Sequence, residues 1–180
     1  ATTVRCHRHD GTPVLSASGL GTFGETLQAH EASVVAVQTD LPFDQLALIG
    51  CAVTTGVGAA LNTAGVQPGD TVAVIGCGGV GQFVIQGARI AGAAVIVAID
   101  PSGTKRAFAT SVGATHTLDP TNGGQLDELR ALTGGRGVDI AFEVVGRPEL
   151  VRDAFEATRP GGTTVIVGMP NTPRTIAVSV

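Results

Sequence analysis

A glycine-rich turn in the middle of the chain has the spacing of a phosphate-binding loop. The segment GCGGVG places Gly76, Gly78 and Gly81 in the frame G-x-G-x-x-G. The apolar run DTVAVI precedes it, and a stretch with helical periodicity follows. In that context the first glycine makes a tight turn, the second lets a phosphate approach the backbone, and the third lets the helix pack on the strand. The free N–H groups and the positive end of the helix dipole then face an anion.

A carboxylate follows at the distance that a dinucleotide site requires. Asp100 comes directly after the next apolar run, AAVIVAI, and stands 19 residues beyond Gly81. A carboxylate there accepts hydrogen bonds from the hydroxyls of an adenosine ribose and repels a 2′-phosphate. Because DPSGTK places no arginine directly after Asp100, the pattern favours NAD over NADP. The alternative is an aspartate that only caps the turn before Pro101.

The third candidate for chemistry is Cys51, in the small-residue segment LIGCAVTTGVGAAL. A cysteine in such a segment can be a core residue, a reactive thiol or one ligand of a metal. The chain has three scattered cysteines, which argues against a disulfide framework and for a reducing compartment such as the cytoplasm. We expect Cys77, inside the glycine loop, to pack on the sheet rather than to react.

Alternating strands and helices position these residues. From Asp70 onward, apolar strand-like runs alternate with helical stretches, which indicates right-handed crossovers and a parallel sheet. We therefore predict an α/β fold, a Rossmann-type doubly wound parallel sheet in the strand order 3-2-1-4-5. Residues 42–65 read as a helical stretch interrupted by glycines, and residues 20–39 read as β structure from another layer.

Composition and charge narrow the class of protein. The 180 residues suit one ordinary domain with a short appendage. They are 43% hydrophobic with 26 glycines, as expected for a sheet buried on both faces. The net charge of −4, with no cluster of Lys or Arg, argues against binding to nucleic acid or to anionic membranes. We expect no run long enough to cross a bilayer.

Longer motifs make the pattern specific to one family. The segment GCAVTTGVGAALNTAGVQPGDTVAVIGCGGVGQFVIQGARIAGA resembles the zinc-dependent medium-chain alcohol dehydrogenases. The resemblance continues through GVDIAFEVVGRPEL and RPGGTTVIVGMP, and upstream through GLGTFGETLQAHEASVVAV, so it covers residues 19–180. In that family a GroES-like catalytic domain holds zinc and a Rossmann domain binds NAD. The resemblance implies hydride transfer between an alcohol or aldehyde and NAD, with zinc acting as a Lewis acid.

The resemblance also implies roles for individual residues. Cys51 falls where the family has its third zinc ligand, and Thr55, one turn later, falls at a position that touches the nicotinamide. Asp100 and Lys105 match contacts to the adenosine ribose. The full set of implied coenzyme contacts, besides Thr55, is Gly76, Gly78, Gly79, Val80, Gly81, Asp100, Lys105, Val144, Val145, Arg147, Val167 and Met169.

The sequence departs from the family at its two ends. The family's first cysteine and its histidine ligand, its four-cysteine zinc lobe and its sixth strand have no counterpart in the sequence. We therefore expect residues 1–41 to be a β remnant of the GroES-like domain and residues 42–180 to be an NAD-binding Rossmann domain truncated at its C-terminus. Cys51 would then be an orphan ligand, with zinc absent and the isolated chain inactive, because a catalytic zinc normally needs three protein ligands.

Other functions stay open beside this one. The chain could be a non-catalytic dinucleotide-binding module, or a zinc-free quinone reductase that uses NADPH, although Asp100 and Cys51 weigh against the latter. An S-adenosylmethionine methyltransferase also uses a glycine-rich loop, but the segments after Val138 fit a dehydrogenase better. As partners, the resemblance implies a small alcohol or aldehyde substrate and a homodimer or tetramer, without nucleic acid or membrane.

Overall fold

The computed structural model describes residues 6–14, 25–170 and 175, and the chain divides into two units, Ala1–Leu41 and Pro42–Val180. In the first unit, β1 (Cys6–His7) and β2 (Pro13–Val14) form a short antiparallel hairpin, and a 3-10 turn covers Glu31–Ser33.

The prediction of β structure for residues 20–39 is wrong for residues 25–39, which contain no strand, while residues 20–24 lie outside the described residues. The valines that suggested a strand, among them Val34, Val35 and Val37, are exposed and pair with no other described strand. A strand is defined by its ladder of hydrogen bonds, so alternation without a neighbouring strand does not produce one.

A long helix, Phe43–Thr63, opens the second unit and confirms the helical prediction for this region. It consists of α1 (Phe43–Leu48), a π-helical segment (Ile49–Val53), α2 (Thr54–Gly58) and a second π-helical segment (Ala59–Thr63). The glycines do not interrupt it. Gly56 faces the helix α3 (Gly79–Ile90) so closely that a Cβ would lie 2.6 Å from Cβ of Phe83. The glycine therefore serves contact between two helices.

The same helix corrects a second expectation. By length and composition alone, Phe43–Thr63 could cross a membrane, with a mean hydropathy of 1.5. The prediction that no run is long enough is therefore wrong. A mostly buried helix in a protein core satisfies the same two criteria, but only 17% of this segment is buried. Close packing on α3 explains the small residues here, since a Cβ on Gly87 of α3 would lie 2.9 Å from Cβ of Ala60.

The rest of the second unit is built on a five-stranded parallel sheet in the order β5-β4-β3-β6-β7. The strands are β3 (Thr71–Ile75), β4 (Val95–Ile99), β5 (His116–Leu118), β6 (Val138–Glu143) and β7 (Thr158–Ile166). The remaining helices are α4 (Gly103–Val112), α5 (Gln125–Leu132) and α6 (Pro148–Ala157). This alternation confirms the α/β fold. β7 begins earlier than the apolar run TTVIVGMP predicts, because Thr158 already pairs with Val138.

The sheet is buried on both faces, which explains its continuous apolar runs. Val72 and Val74 of β3 join a core with the Phe43–Thr63 helix and α3, whereas Ala73 and Ile75 join a second core with α5 and α6. Because the strands are parallel, the carboxyl ends of β3, β4 and β6 meet at one edge, where the glycine loop begins. The alternating C-terminal segment, residues 172–180, lies outside the described residues except for residue 175.

Candidate functional site

The glycine loop joins β3 to α3 at the carboxyl edge of the sheet. Gly76 has a φ of +98°, and a Cβ there would lie 2.5 Å from Cγ2 of Val145. A Cβ on Gly81 would collide with the carbonyl oxygen of Gly76. Gly78 and Gly79, by contrast, have no atom within 4 Å of where a Cβ would stand. Packing thus requires the first and last glycines, while the middle ones leave open space at the N-terminus of α3, where an anion binds well.

Two buried polar side chains hold this loop in place. Oδ2 of Asp100 accepts a 2.9 Å hydrogen bond from the N–H of Cys77, and Oδ1 accepts a 2.8 Å bond from the N–H of Ser102. Nε2 of Gln82 donates to the carbonyl oxygens of Cys77 at 3.0 Å and Lys105 at 3.1 Å. Asp100 therefore does cap the turn that follows it, and it also supports the glycine loop.

A cleft of about 450 Å³ opens in front of the loop. Asp100, 4% exposed, lines it beside Lys105, whose Nζ lies 3.8 Å from Oδ2 of Asp100. Arg106 is held by other groups: it donates to the carbonyl oxygen of Asp100 at 2.5 Å and pairs with Asp119 at 2.9 Å. The cleft brings together the following predicted coenzyme contacts: Gly76, Gly78, Asp100, Lys105, Val144, Val145 and Arg147.

The cleft also has walls that the sequence did not indicate. Gln125 and Leu126 of α5, and Leu150 and Asp153 of α6, line it. Nε2 of Gln125 lies 3.3 Å from Oδ2 of Asp153, and burial raises the pKa of the Asp153 carboxyl. No local signal marks these residues, because two helices must dock on the sheet before they meet.

A second depression, of about 390 Å³, lies between the Phe43–Thr63 helix and β7. Thr55, which the resemblance places at the nicotinamide, and Val167, another implied coenzyme contact, line it together. Cys51 and Met169 line neither depression: Cys51 is exposed in the first π-helical segment, and Met169 is 86% exposed. Within residues 6–14, 25–170 and 175, no three His, Cys, Asp or Glu side chains come together to hold a metal.

Cys77 packs on the sheet, as predicted. Its side chain is 1% exposed, and its Sγ lies 3.7 Å from the carbonyl oxygen of Ile99. Burial, with the nearby negative charge of Asp100, raises the pKa of the thiol to about 12. A thiol with that pKa stays protonated at neutral pH and is a poor nucleophile.

Glu143 was not among the predicted site residues. Its side chain is fully buried at the end of β6, and Oε1 accepts hydrogen bonds from the N–H groups of Val145 at 2.9 Å and Gly146 at 2.8 Å. The signal that could have found it is the one that found Asp100: a carboxylate where an apolar parallel strand ends.

Comparisons with known proteins identify the family and agree with the α/β fold. A family model described as zinc-binding dehydrogenase matches residues 79–180. S-(hydroxymethyl)glutathione dehydrogenase of Saccharomyces cerevisiae is 42% identical over 173 residues, which are 93% of this chain and 45% of that protein.

Solved structures agree as well. Benzyl alcohol dehydrogenase of Acinetobacter calcoaceticus has a TM-score of 0.78 and 30% identity, over 81% of this chain and 40% of that one. A protein of Sinorhizobium meliloti, described as a zinc-binding dehydrogenase bound to NADP, has a TM-score of 0.67 and 30% identity, over 72% of this chain and 38% of that one.

The chain spans less than half the length of each of these proteins. The family model nevertheless covers more than half of this chain and begins in the glycine loop. The parallel α/β fold and the ordered motifs agree with it, which confirms the resemblance to the zinc-dependent alcohol dehydrogenases. The chain belongs to the zinc-binding dehydrogenase family.

Proposed function

We propose that this chain binds NAD(H) in the cleft before the glycine loop and forms the coenzyme-binding part of a zinc-dependent alcohol dehydrogenase. The observation that carries the proposal is the open backbone at Gly78 and Gly79, with Asp100 beside it at the carboxyl edge of the sheet. Open α/β sheets bind their ligands at that edge. Hydride transfer between a small-molecule alcohol or aldehyde and NAD is the reaction proposed for the whole enzyme.

The residues present fit a dinucleotide. The free space over Gly78 and Gly79 admits a pyrophosphate to the N-terminus of α3. Asp100 offers carboxylate oxygens to ribose hydroxyls, and the apolar side chains of Leu126 and Leu150 offer a surface to a base. When bound, the coenzyme supplies the carbon that accepts or gives the hydride. The residues of this chain bind and orient it.

The charges around Asp100 favour NAD over NADP. Its carboxylate repels a 2′-phosphate, and Arg106, which could pair with that phosphate, is already paired with Asp119. Lys105 remains, but the charge of Asp100 lies 3.8 Å from its Nζ and offsets it. Because a structurally similar protein was solved with NADP, the preference for NAD rests on these local charges and not on the family.

The described residues do not by themselves fit a catalytic zinc. Cys51 is exposed, and no group of three possible ligands forms within the described residues. We propose Cys51 as one ligand of the zinc in the whole enzyme, with the other ligands contributed from outside the described residues. We also propose that residues 1–41 belong to a GroES-like domain. The whole enzyme is proposed to be a homodimer or tetramer in the cytoplasm.

Titration of the 180-residue chain with NADH and NADPH, followed by nicotinamide fluorescence, tests the proposal. The chain contains no tryptophan, so coenzyme fluorescence is read without that background. We expect NADH to bind at least about tenfold more tightly than NADPH. A preference for NADPH would support the zinc-free reductase instead, and a folded chain that binds neither would overturn the proposal. Binding without alcohol oxidation is the result expected for the coenzyme-binding part alone, because the described residues supply no complete zinc site.

A further inference from the structure

Glu143 is a fully buried carboxylate that the proposed function does not yet use. It ends β6, at the same edge of the sheet as the glycine loop. Within the described part of the chain, no cation pairs with it. Burying a carboxylate costs free energy of folding unless hydrogen bonds compensate it. The groups that bond to Glu143 therefore indicate its role.

The side chain of Glu143 holds the loop that follows β6. Oε1 accepts hydrogen bonds from the N–H groups of both Val145 and Gly146, at 2.9 and 2.8 Å. Two consecutive backbone donors converge on this one oxygen, so the loop is held at two adjacent residues. Gly146 has a φ of +87°, so the loop turns sharply at the point where the carboxylate holds it.

The main chain of Glu143 holds the loop that follows β7. Its carbonyl oxygen accepts hydrogen bonds from the N–H groups of Val167 at 2.8 Å and Gly168 at 3.0 Å. The two loops also touch, because a Cβ on Gly146 would lie 2.5 Å from the carbonyl oxygen of Met169. The carboxylate therefore holds the loop after β6, and the backbone carbonyl, which any residue at this position would supply, holds the neighbouring loop after β7.

Both loops carry residues of the proposed coenzyme site. Val144, Val145 and Arg147 line the cleft, and Val167 lines the second depression. Cγ2 of Val145 lies 2.5 Å from where a Cβ of Gly76 would stand, so the position of Val145 determines the packing over the first glycine of the phosphate loop. A shift of the loop after β6 would therefore move residues that line the cleft.

The second carboxylate oxygen argues for a role beyond stability. Oε2 is buried and has no hydrogen-bond partner among the described residues, and a Cβ on Gly168 would lie 2.7 Å from it. An unpaired buried oxygen destabilises a fold. The glutamate therefore holds the two N–H groups of the loop through Oε1 at a cost in stability through Oε2.

We propose that Glu143 is a positioning residue whose carboxylate sets the coenzyme-binding geometry of the loop after β6. It acts through Val145 and Gly146 and does not touch the coenzyme. This inference rests on the proposed function, because its readout is coenzyme binding.

Four proteins test it: the wild-type chain, Glu143→Met, Glu143→Gln and the control Glu156→Gln. Methionine keeps the length of the side chain and removes both acceptor oxygens, whereas glutamine keeps one oxygen for the two N–H groups. Glu156 is exposed on α6 and undergoes the same change of charge. NADH affinity is measured by fluorescence titration, with circular dichroism confirming that each protein is folded.

We expect Glu143→Met to raise the Kd for NADH at least about tenfold, and Glu143→Gln and Glu156→Gln to change it less than about threefold. A folded Glu143→Met protein with the wild-type Kd would overturn the role of Glu143, as would a Gln variant that binds as weakly as the Met variant. A wild-type chain that does not bind NADH would instead overturn the proposed function.

Hydrogen exchange in the wild-type chain gives a test that needs no variant. We expect the amides of Val145 and Gly146 to exchange slowly in the coenzyme-free protein, because both donate to a buried carboxylate. Exchange at the rate of an unstructured peptide, measured by NMR, would overturn the inference even where Glu143→Met fails to fold.

Discussion

The N–H of Cys77 donates a 2.9 Å hydrogen bond to Oδ2 of Asp100, and this bond ties the glycine loop to the end of β4. The carboxylate that faces the proposed ribose site is therefore also a support of the phosphate loop. In a nearly buried position, a hydrogen bond to an ionised acceptor contributes about 1.5 to 3 kcal/mol. Changes at Asp100 should affect both the loop and the choice of coenzyme.

Asp100→Asn tests this double role. Asparagine keeps the size of the side chain but removes the charge, so the repulsion of a 2′-phosphate is lost, and its single oxygen can accept only one of the two bonds from Cys77 and Ser102. We expect the preference for NADH over NADPH to fall about tenfold, measured as the ratio of the two Kd values. Asp127→Asn, on the exposed face of α5, is the control. An unchanged ratio in Asp100→Asn would mean that the carboxylate does not select the coenzyme.

The glycines of the Phe43–Thr63 helix allow a matched test of its docking on α3. A Cβ on Gly56 would lie 2.6 Å from Cβ of Phe83, whereas a Cβ on Gly58 would meet only Nδ2 of Asn62, at 3.9 Å. We expect Gly56→Ala to lower the free energy of unfolding by about 1 to 3 kcal/mol through overpacking. Gly58→Ala should raise it by up to about 1 kcal/mol, because alanine favours the helix. Equal effects in urea unfolding would contradict the packing described.

Asp139 should make stability depend on pH in the acid range. Its carboxylate accepts a 2.6 Å hydrogen bond from the hydroxyl of Thr71 and pairs with Arg159 at 2.6 Å, which lowers its pKa to about 2. A pKa lowered by folding stabilises the protein above the unfolded pKa, near pH 4, and this stabilisation is lost as the pH falls towards 2.

Asp139→Asn is the variant that checks this dependence. Because the group is partly exposed, solvent screening reduces its contribution, and we expect a loss of about 1 to 2 kcal/mol at pH 7 that shrinks towards pH 2. The measurement is urea unfolding of the wild-type and variant chains at both pH values. A difference between them that does not shrink as the pH falls would show that Asp139 is not the titrating group.

Cys51 and Cys77 should differ sharply in their reactivity towards thiol reagents. Cys51 is exposed, whereas Cys77 is buried with a thiol pKa of about 12. Only the thiolate reacts, so we expect a disulfide reagent at pH 8 to modify Cys51 and to leave Cys77 unmodified in the folded chain. Cys51→Ser should remove one fast-reacting thiol, and Cys77→Ala should remove none. If Cys77→Ala had one fast-reacting thiol fewer than the wild-type chain, Cys77 would be exposed to solvent and not buried.

The glycine loop and Asp100 could be predicted from sequence because their geometry is local. A strand, a turn, a helix and a second strand follow one another within residues 71–100, and the spacing of Gly76, Gly81 and Asp100 leaves few other arrangements. β3 and β4 were recognisable for the same reason, since each is a short apolar run bounded by turn residues, whereas β7 begins before its apolar run.

The features that sequence missed depend on partners distant in the chain. Gln125 and Asp153 meet in the cleft only because α5 and α6 pack on the same face of the sheet. The valines around Val35 had a strand's pattern but no neighbouring strand within the described residues. Gly56 suggested a broken helix because its close contact with Phe83 is invisible in the sequence.

The NADH affinity of Gly78→Ala shows whether a coenzyme phosphate lies against the glycine loop. Gly78 has a φ of −73° and no atom within 4 Å of a Cβ, so alanine fits the protein without strain and occupies only the space proposed for the phosphate. We expect the Kd for NADH to rise at least about tenfold while the free energy of unfolding stays unchanged. An unchanged Kd would place the phosphate, or the coenzyme itself, elsewhere.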